Sequence, residues 1–209
     1  MIRILIADDH PMVRAGVRQI LSEDPMITEI GEANSGRQAL QRLRTQAWSV
    51  LLLDINMPDR NGLDILRNVA ASFPQTKVLV ISGFAERMYA LNVLKAGASG
   101  YLSKESAPEQ LLTAVHTVLK GRRYITNEVA ELLAATLDVD TVRPAHSCLS
   151  EREFQVFYKI ASGQTVSSIG DELCLSVKTI STYRSKILEK MSFQSNADIT
   201  TYALRNSLI

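Results

Sequence analysis

Ser49-Val50-Leu51-Leu52-Leu53-Asp54-Ile55-Asn56-Met57-Pro58 is the stretch that decides the fold. Four apolar residues, Val50 to Leu53, end in one carboxylate, and Met57-Pro58 closes the run. An unbroken apolar segment of this length, stopped by a turn signal, is the pattern of a strand buried on both faces. Such strands belong to parallel sheets, and open parallel sheets place their ligands at the carboxyl ends of the strands. Asp54 stands at such an end. Taken alone, it reads better as a cap on the next turn.

The residues on either side continue the pattern. Ile2 to Ala7 is a branched, buried strand that runs into Asp8-Asp9-His10-Pro11. Pro11 suits the first turn of a helix, and Val13, Val17, Ile20 and Leu21 repeat at helical spacing to about Ser22. Ile27 to Gly31 is a short strand, and Ser35 can cap a helix with Ala39, Leu40 and Leu43 inward. After Asp54, the Asn61-Gly62 turn opens a helix carrying Leu63, Leu66, Val69 and Ala70, closed by Pro74. Lys77 to Ile81 is a fourth strand, ending at Ser82-Gly83, and a helix follows from about Glu86 to Ala96. Ser99 to Leu102 is a fifth strand, ending near Lys104, and Pro108 opens a helix through Leu119. Strands alternating with helices predict an α/β fold, a five-stranded parallel, doubly wound sheet with right-handed crossovers.

Such a sheet gathers Asp8, Asp9, Asp54, Ser82 and Lys104 along one edge. Three carboxylates that close repel, and at least one carboxyl pKa rises unless a cation is present. Lys104 offsets one charge. A hard divalent cation with oxygen ligands, Mg²⁺, would offset the others. With that charge balanced, one carboxylate can act as a nucleophile toward a phosphoryl group, and Ser82 and Lys104 can hold the phosphoryl oxygens. A structural salt-bridge network is the plainer alternative, and an Asp-Asp pair alone would favour it. Polar residues on so many strand ends do not.

Composition bounds the rest. The chain has 209 residues, comfortable for two domains, and a formal net charge of +1. Bulk charge therefore gives no argument for nucleic acid or membrane, and a basic footprint has to be local. Cys148 and Cys174 lack metal-ligand spacing and read as free thiols of a reducing cytoplasm. The N-terminus is apolar too briefly for a signal peptide or a membrane span.

Residues 1–124 thus form one domain. Residues 125–146 read as a linker: Thr126 can cap a helix from Asn127 to about Leu137, with Val129, Leu132, Leu133 and Thr136 on one side, and 138–146 has no period. In residues 147–209 a helical pattern returns. Ser150 and Glu153 make a capping box for a helix with Phe154, Phe157, Ile160 and Ala161 inward. Val166 to Leu173 is a second helix, Leu175-Ser176 a turn, and Val177 to Met191 a third helix. Ser195 caps a fourth, Asn196 to Asn206, with Ile199, Ala203 and Leu204 inward. A short helix, a tight turn and a longer helix predict an all-α helix-turn-helix domain of four helices. Residues 178–190 carry Lys178, Arg184, Lys186 and Lys190 against Glu189, a local +3. A solvated cationic helix face is the bland reading. Hydroxyls between the bases suit phosphate and groove contacts instead.

Residues 1–121 resemble the receiver domain of two-component response regulators. The matching residues are Asp8-Asp9, Asp54 in Leu-Asp-Ile-Asn-Met-Pro, Ser82, Tyr101 in Gly-Ala-Ser-Gly-Tyr-Leu, and Lys104. The resemblance implies that Asp54 is the phosphoacceptor for a sensor histidine kinase or phosphotransfer protein. Asp9, Asp54 and the backbone carbonyl of Asn56 would ligate Mg²⁺, with Asp8 acting through a bound water. Ser82 and Tyr101 would be the switch pair, Ser82 turning to the phosphate and Tyr101 moving inward. One departure is Glu105, where many receivers have a proline joined to the lysine by a cis peptide bond. A non-proline cis bond costs roughly 3–4 kcal/mol. His10 reads as a local packing or capping residue.

Residues 149–209 resemble the LuxR-type effector of the NarL/FixJ class, through Leu149-Ser-x-Arg-Glu, Ile169-Gly-x-x-Leu173, Ser176-Val-Lys-Thr-Ile-Ser181 and Ala203-Leu-Arg-Asn-x-Leu-Ile209. Carried over, Ser181, Thr182 and Ser185 face bases, and Lys178, Thr179, Arg184, Lys186 and Lys190 contact phosphates. The fourth helix, with Ala197, Tyr202 and Leu204, would supply a dimer face. The expectation is a cytoplasmic, homodimeric transcription regulator that binds double-stranded DNA and meets RNA polymerase. It would not be an enzyme, beyond slow self-phosphorylation from small donors and autodephosphorylation. A Mg²⁺-dependent phosphohydrolase would want an acid two residues after the nucleophile, and Asn56 stands there.

Overall fold

The structure is a computed structural model, and it describes residues 1–57, 62–83, 86–104, 106, 108–137, 144–206 and 208–209. Pro58, Asn61, Glu105 and residues 138–143 lie outside the described residues, as do the side chains of Leu132 and Thr136. The Lys104-Glu105 peptide, whose geometry the sequence leaves open, is among these.

The chain divides into two compact units, Met1–Val139 and Asp140–Ile209. The first contains β1 (Ile2–Ala7), α1 (Pro11–Ser22), β2 (Ile27–Ala33), α2 (Gly36–Thr45), β3 (Val50–Asp54), α3 (Gly62–Ser72), β4 (Lys77–Ser82), α4 (Glu86–Lys95), β5 (Gly100–Ser103), α5 (Pro108–Leu119) and α6 (Asn127–Leu137). The strands form one parallel sheet in the order β2-β1-β3-β4-β5. The order reverses between β1 and β3, and the crevice outside the strand ends at such a reversal is the ligand position of open α/β sheets. Register sets Asp54 opposite Ile81 and Ser82 opposite Ser103, so the polar strand ends stay level.

Strand alternation feeds two helical layers. Ile4, Ile6, Leu52, Leu79 and Ile81 pack in one cluster with Val17 and Leu21 of α1 and with Leu111, Val115 and Val118 of α5. Burying each such side chain contributes roughly 1.5–3 kcal/mol. Leu51 and Leu53 on the opposite side of β3 are also fully buried, which is why that run is apolar without alternation. Helix limits follow local signals: Ser35 caps α2 by accepting from Gln38 N, and Gly97 (φ 107°) and Gly121 (φ 76°) take the left-handed conformation after α4 and α5.

The helix placed in a linker by its sequence packs elsewhere. Tyr124 N donates to Ser99 O at 2.9 Å, and Tyr124 pairs with Gly100, so the chain after α5 runs along β5. A Cβ on Gly100 would meet Tyr124 O at 2.8 Å, so glycine is what permits this close approach. The chain then turns into α6, which packs on α4, with Val129 buried.

The second unit holds a 3₁₀ turn (Ala145–Cys148), α7 (Glu151–Ala161), α8 (Val166–Glu172), α9 (Val177–Met191) and α10 (Asn196–Arg205). Its core is built from Phe154, Val156, Phe157, Ile160, Ile169, Ile180, Ile187, Ile199 and Ala203. Two expectations for α10 fail. Leu204 points out, 60 % exposed. Tyr202 points in: its ring lies against Phe157 and Phe193, and its Oη is 3.0 Å from His146 Nδ1. A Tyr satisfies both burial and hydrogen bonding by ending at a polar partner, and His146 supplies it.

Candidate functional site

The edge cluster forms as the strand ends predict. Asp54, the last residue of β3, is 1 % exposed, and Asp8, just after β1, is 3 % exposed. Lys104, just after β5, reaches between them. Its Nζ lies 2.8 Å from Asp54 Oδ2 and 2.8 Å from Asp8 Oδ2. Lys104 N donates to Ser82 O at 2.7 Å, tying the lysine backbone to the end of β4. Asp54 Oδ1 accepts from Asn56 N at 3.0 Å.

Burial raises the Asp54 carboxyl above its ordinary range; Lys104 opposes this shift and the Asp8 charge adds to it. For Lys104, burial works against the ammonium, yet the two carboxylates overcome it and hold its pKa above the usual value. Asp54 is thus held in a setting that resists its charge, beside the cation that preserves it.

Asp9 is half-exposed as a residue, but its Oδ1 is buried and makes no hydrogen bond, although His10 Nδ1 lies 2.9 Å away. One ligand atom each from Asp8, Asp9, His10 and Asp54 falls within a 4.8 Å cluster. Oxygen-rich clusters of this kind suit hard divalent cations. Ser82 is fully buried at the end of β4, and Tyr101 of β5 is 2 % exposed. Tyr101 therefore already occupies an inward position.

Sequence reasoning missed Arg14. From α1, its Nη1 donates to Asp8 O at 2.8 Å and its Nε to Glu32 at 3.2 Å, and Glu32 also takes Arg18. Arg14 thus fixes the backbone beside the acid pair. The available signal was two arginines four residues apart on the polar side of α1.

In the second unit, α8 and α9 are joined by a tight turn. Gly170 lies against it, where a Cβ would meet Leu175 O at 2.8 Å, and Cys174 takes φ 53°. Ser176 caps α9 by accepting from Thr179 N at 3.1 Å. Lys178, Ser181, Thr182, Ser185 and Lys186 are exposed on α9. Thr182 and Ser185 donate their hydroxyls to Lys178 O and Ser181 O, which leaves oxygen lone pairs facing outward. Two of the expected phosphate contacts are engaged internally. Arg184 Nε donates to Asn196 Oδ1 at 2.6 Å, and Lys190 Nζ lies 2.6 Å from Glu153 Oε2.

The family model for the response regulator receiver domain matches residues 4–116, and the model for bacterial regulatory proteins of the luxR family matches residues 147–203. The response regulator UvrY of Escherichia coli K12 is 36 % identical over 209 residues, covering 100 % of this chain and 96 % of that one. The chain belongs to the LuxR-type, NarL/FixJ response regulators. It is a DNA-binding transcription regulator with a receiver domain. The response regulator GacA of Pseudomonas viridiflava is 35 % identical over 210 residues, covering 100 % of this chain and 98 % of that one. A solved structure of RcsB from Salmonella enterica serovar Typhimurium, bound to a promoter in the presence of the phosphomimetic BeF3−, matches with TM-score 0.61 and 25 % identity. That match covers 96 % of this chain and 97 % of RcsB. The acid cluster belongs to the receiver, and the α8-turn-α9 segment to the LuxR-type domain.

Proposed function

We propose that Asp54 accepts a phosphoryl group from a histidine kinase or phosphotransfer protein, and that this modification controls DNA binding by α9. The observation that carries the reading is the setting of Asp54. It is a buried carboxylate at the reversal point of the sheet, with Lys104 bridging it to a second carboxylate. In the transfer, an Asp54 oxygen forms a bond to phosphorus as the bond from phosphorus to the donor's imidazole nitrogen breaks. The leaving imidazole keeps the electron pair and takes a proton. Lys104 then has phosphoryl oxygens to hold beside Asp8, and the Ser82 hydroxyl can donate to them. Attack by water on phosphorus later returns the carboxylate and free phosphate, which resets the signal without making turnover the function.

The three carboxylates fit Mg²⁺: Asp8, Asp9 and Asp54 offer oxygen, with the His10 ring nitrogen beside them, and the buried Asp9 Oδ1 has no hydrogen bond. Asp9, Asp54 and the Asn56 carbonyl would hold the ion directly, and Asp8 through water. When bound, it supplies positive charge to the phosphoryl oxygens.

The division into receiver (1–124), connection (125–146) and effector (147–209) gives the signal a route, because the connection begins along β5, where Tyr101 sits, and continues as α6 on α4. A new charge at Asp54 biases Ser82 and Tyr101, and α6 lies on a neighbouring element. On the DNA side, Ser181, Thr182 and Ser185 read bases, while Lys178, Thr179, Arg184 and Lys186 hold phosphates. The BeF3−-treated RcsB complex with a promoter supports coupling of the two halves by likeness. Exposed Ala197 and Leu204 on α10 supply a homodimer face. The regulator works in the cytoplasm with RNA polymerase. Among the described residues, no helix is long and apolar enough to cross a membrane.

The test is incubation of the full chain with acetyl phosphate and Mg²⁺. A mass gain of one phosphoryl group, lost in hydroxylamine and absent in Asp54→Asn, is expected. A gain that persists in Asp54→Asn moves the acceptor elsewhere, and no gain favours a constitutive DNA binder.

A further inference from the structure

Lys190 is the last cation of α9 and reads from sequence as one more phosphate contact. Its surroundings separate it from the other lysines of the helix. Lys178, Lys186 and Lys190 are all exposed, so exposure does not set Lys190 apart; its ion pair does. Lys190 Nζ lies 2.6 Å from Glu153 Oε2, and the Glu153 side chain is only 5 % exposed. The same Oε2 accepts from Ser150 N at 2.7 Å, completing the capping box of α7. Burial alone raises the Glu153 carboxyl; the hydrogen bonds from Lys190 and Ser150 overcome it and leave it below the usual range. Backbone contact adds to the side-chain contact, because Cys148 Sγ donates to Lys190 O at 3.8 Å. The exit end of α9 is therefore held to the entry of α7 by one buried carboxylate with two donors.

We propose that Lys190 is a positioning residue: held by Glu153, it fixes the exit end of α9 against α7 and so aims the base-facing residues, instead of touching DNA phosphate. The lever is long enough to matter. Ser181 is nine residues before Lys190, about 13 Å along the helix, so a tilt of about 5° at the pin moves it by about 1 Å. A lysine released from Glu153 would also leave the carboxylate buried without its cation.

The inference rests on α9 being the DNA-facing helix, and the experiment separates the two. Affinity of the full chain for one mixed-sequence duplex longer than two helical turns is measured against salt, together with thermal unfolding. Variants are Lys190→Met, Lys190→Arg, Glu153→Gln and, as control, Lys178→Ala. Losing a phosphate contact flattens the plot of log affinity against log salt by about 0.9. The control is expected to flatten by that amount with unchanged melting temperature. Lys190→Met and Glu153→Gln are expected to melt several degrees lower and bind more weakly at every salt concentration, with the wild-type slope. Lys190→Arg is expected to retain both properties. A slope flattened in Lys190→Met as in the control, or no change in melting and affinity for both Lys190→Met and Glu153→Gln, overturns the positioning role. Should Lys190→Met not fold, Glu153→Gln decides: lowered melting with weaker binding at every salt concentration supports the positioning role, and wild-type melting and affinity overturn it. An unchanged slope in Lys178→Ala overturns the DNA reading of α9 and the aiming role with it.

Discussion

Lys104→Met removes the cation that lies between Asp8 and Asp54 while keeping an unbranched side chain of nearly the same length. Their ligand oxygens fall within 4.8 Å of each other, so two ionised carboxylates there repel by about 3.5 kcal/mol at an effective dielectric of about 20. Removing one partner of a buried ion pair typically costs about 3–5 kcal/mol, a range that includes this repulsion. Because Lys104 is held above its ordinary pKa, its stabilisation is present at every pH below the free lysine value and lost only in alkali. Acid acts on the variant by another route. One carboxylate protonates, the repulsion disappears, and the gap to wild type narrows as pH falls through the carboxylate range. Mg²⁺ is expected to narrow the gap at neutral pH. Trp48 is the single tryptophan, buried in the first unit, so its fluorescence in a urea titration reports that unit alone. At a slope of about 2 kcal/mol/M, the midpoint is expected to fall by about 2 M at neutral pH without Mg²⁺. An unchanged midpoint refutes the reasoning, as does a loss that neither acid nor Mg²⁺ diminishes.

Four further outcomes follow from single residues. Asp54→Asn is expected to raise the Trp48 urea midpoint in the absence of Mg²⁺. Burial raises the Asp54 carboxyl, so its ionised form costs stability at neutral pH, and the advantage of Asn shrinks as acid protonates the wild type. Gly170→Ala pushes a Cβ toward Leu175 O and is expected to cost about 1–3 kcal/mol and to weaken DNA binding through the α8–α9 turn, read by calorimetry and duplex titration. Tyr202→Phe removes the Oη that accepts from His146 N at 3.3 Å and bonds its ring, and is expected to cost about 1 kcal/mol and to speed amide exchange at His146. Burial lowers the His146 pKa, so the second unit is also expected to lose stability as pH falls below the free imidazole value.

What was legible in the sequence was local or periodic. The Val50–Leu53 run, the acids at the ends of β1 and β3, and the lysine after β5 predict a parallel sheet and one polar strand edge, and the cluster follows from those; the strand order does not. Caps at Ser35 and Ser150 are read within four residues and stand as drawn. Partners distant in sequence were not legible. The apolar face of α6 shows that the helix is covered, but not that α4 covers it. Leu204 and Tyr202 are near neighbours on α10, and the packing of Phe157, Phe193 and His146 decides which turns inward. The Glu153 capping box is visible as a motif, while its second donor, Lys190, lies 37 residues away. Arg14 likewise acts on Asp8 through a backbone carbonyl, a contact that no residue pattern encodes.

The central claim is that charge placed on Asp54 governs what α9 does. It is tested most directly by the DNA affinity of the full chain before and after treatment with acetyl phosphate and Mg²⁺, in wild type and in Asp54→Asn. The expected result is a change in affinity in wild type alone, in step with the phosphoryl mass gain. Equal affinity for the phosphorylated and unmodified wild type, or the same change in Asp54→Asn, would contradict it.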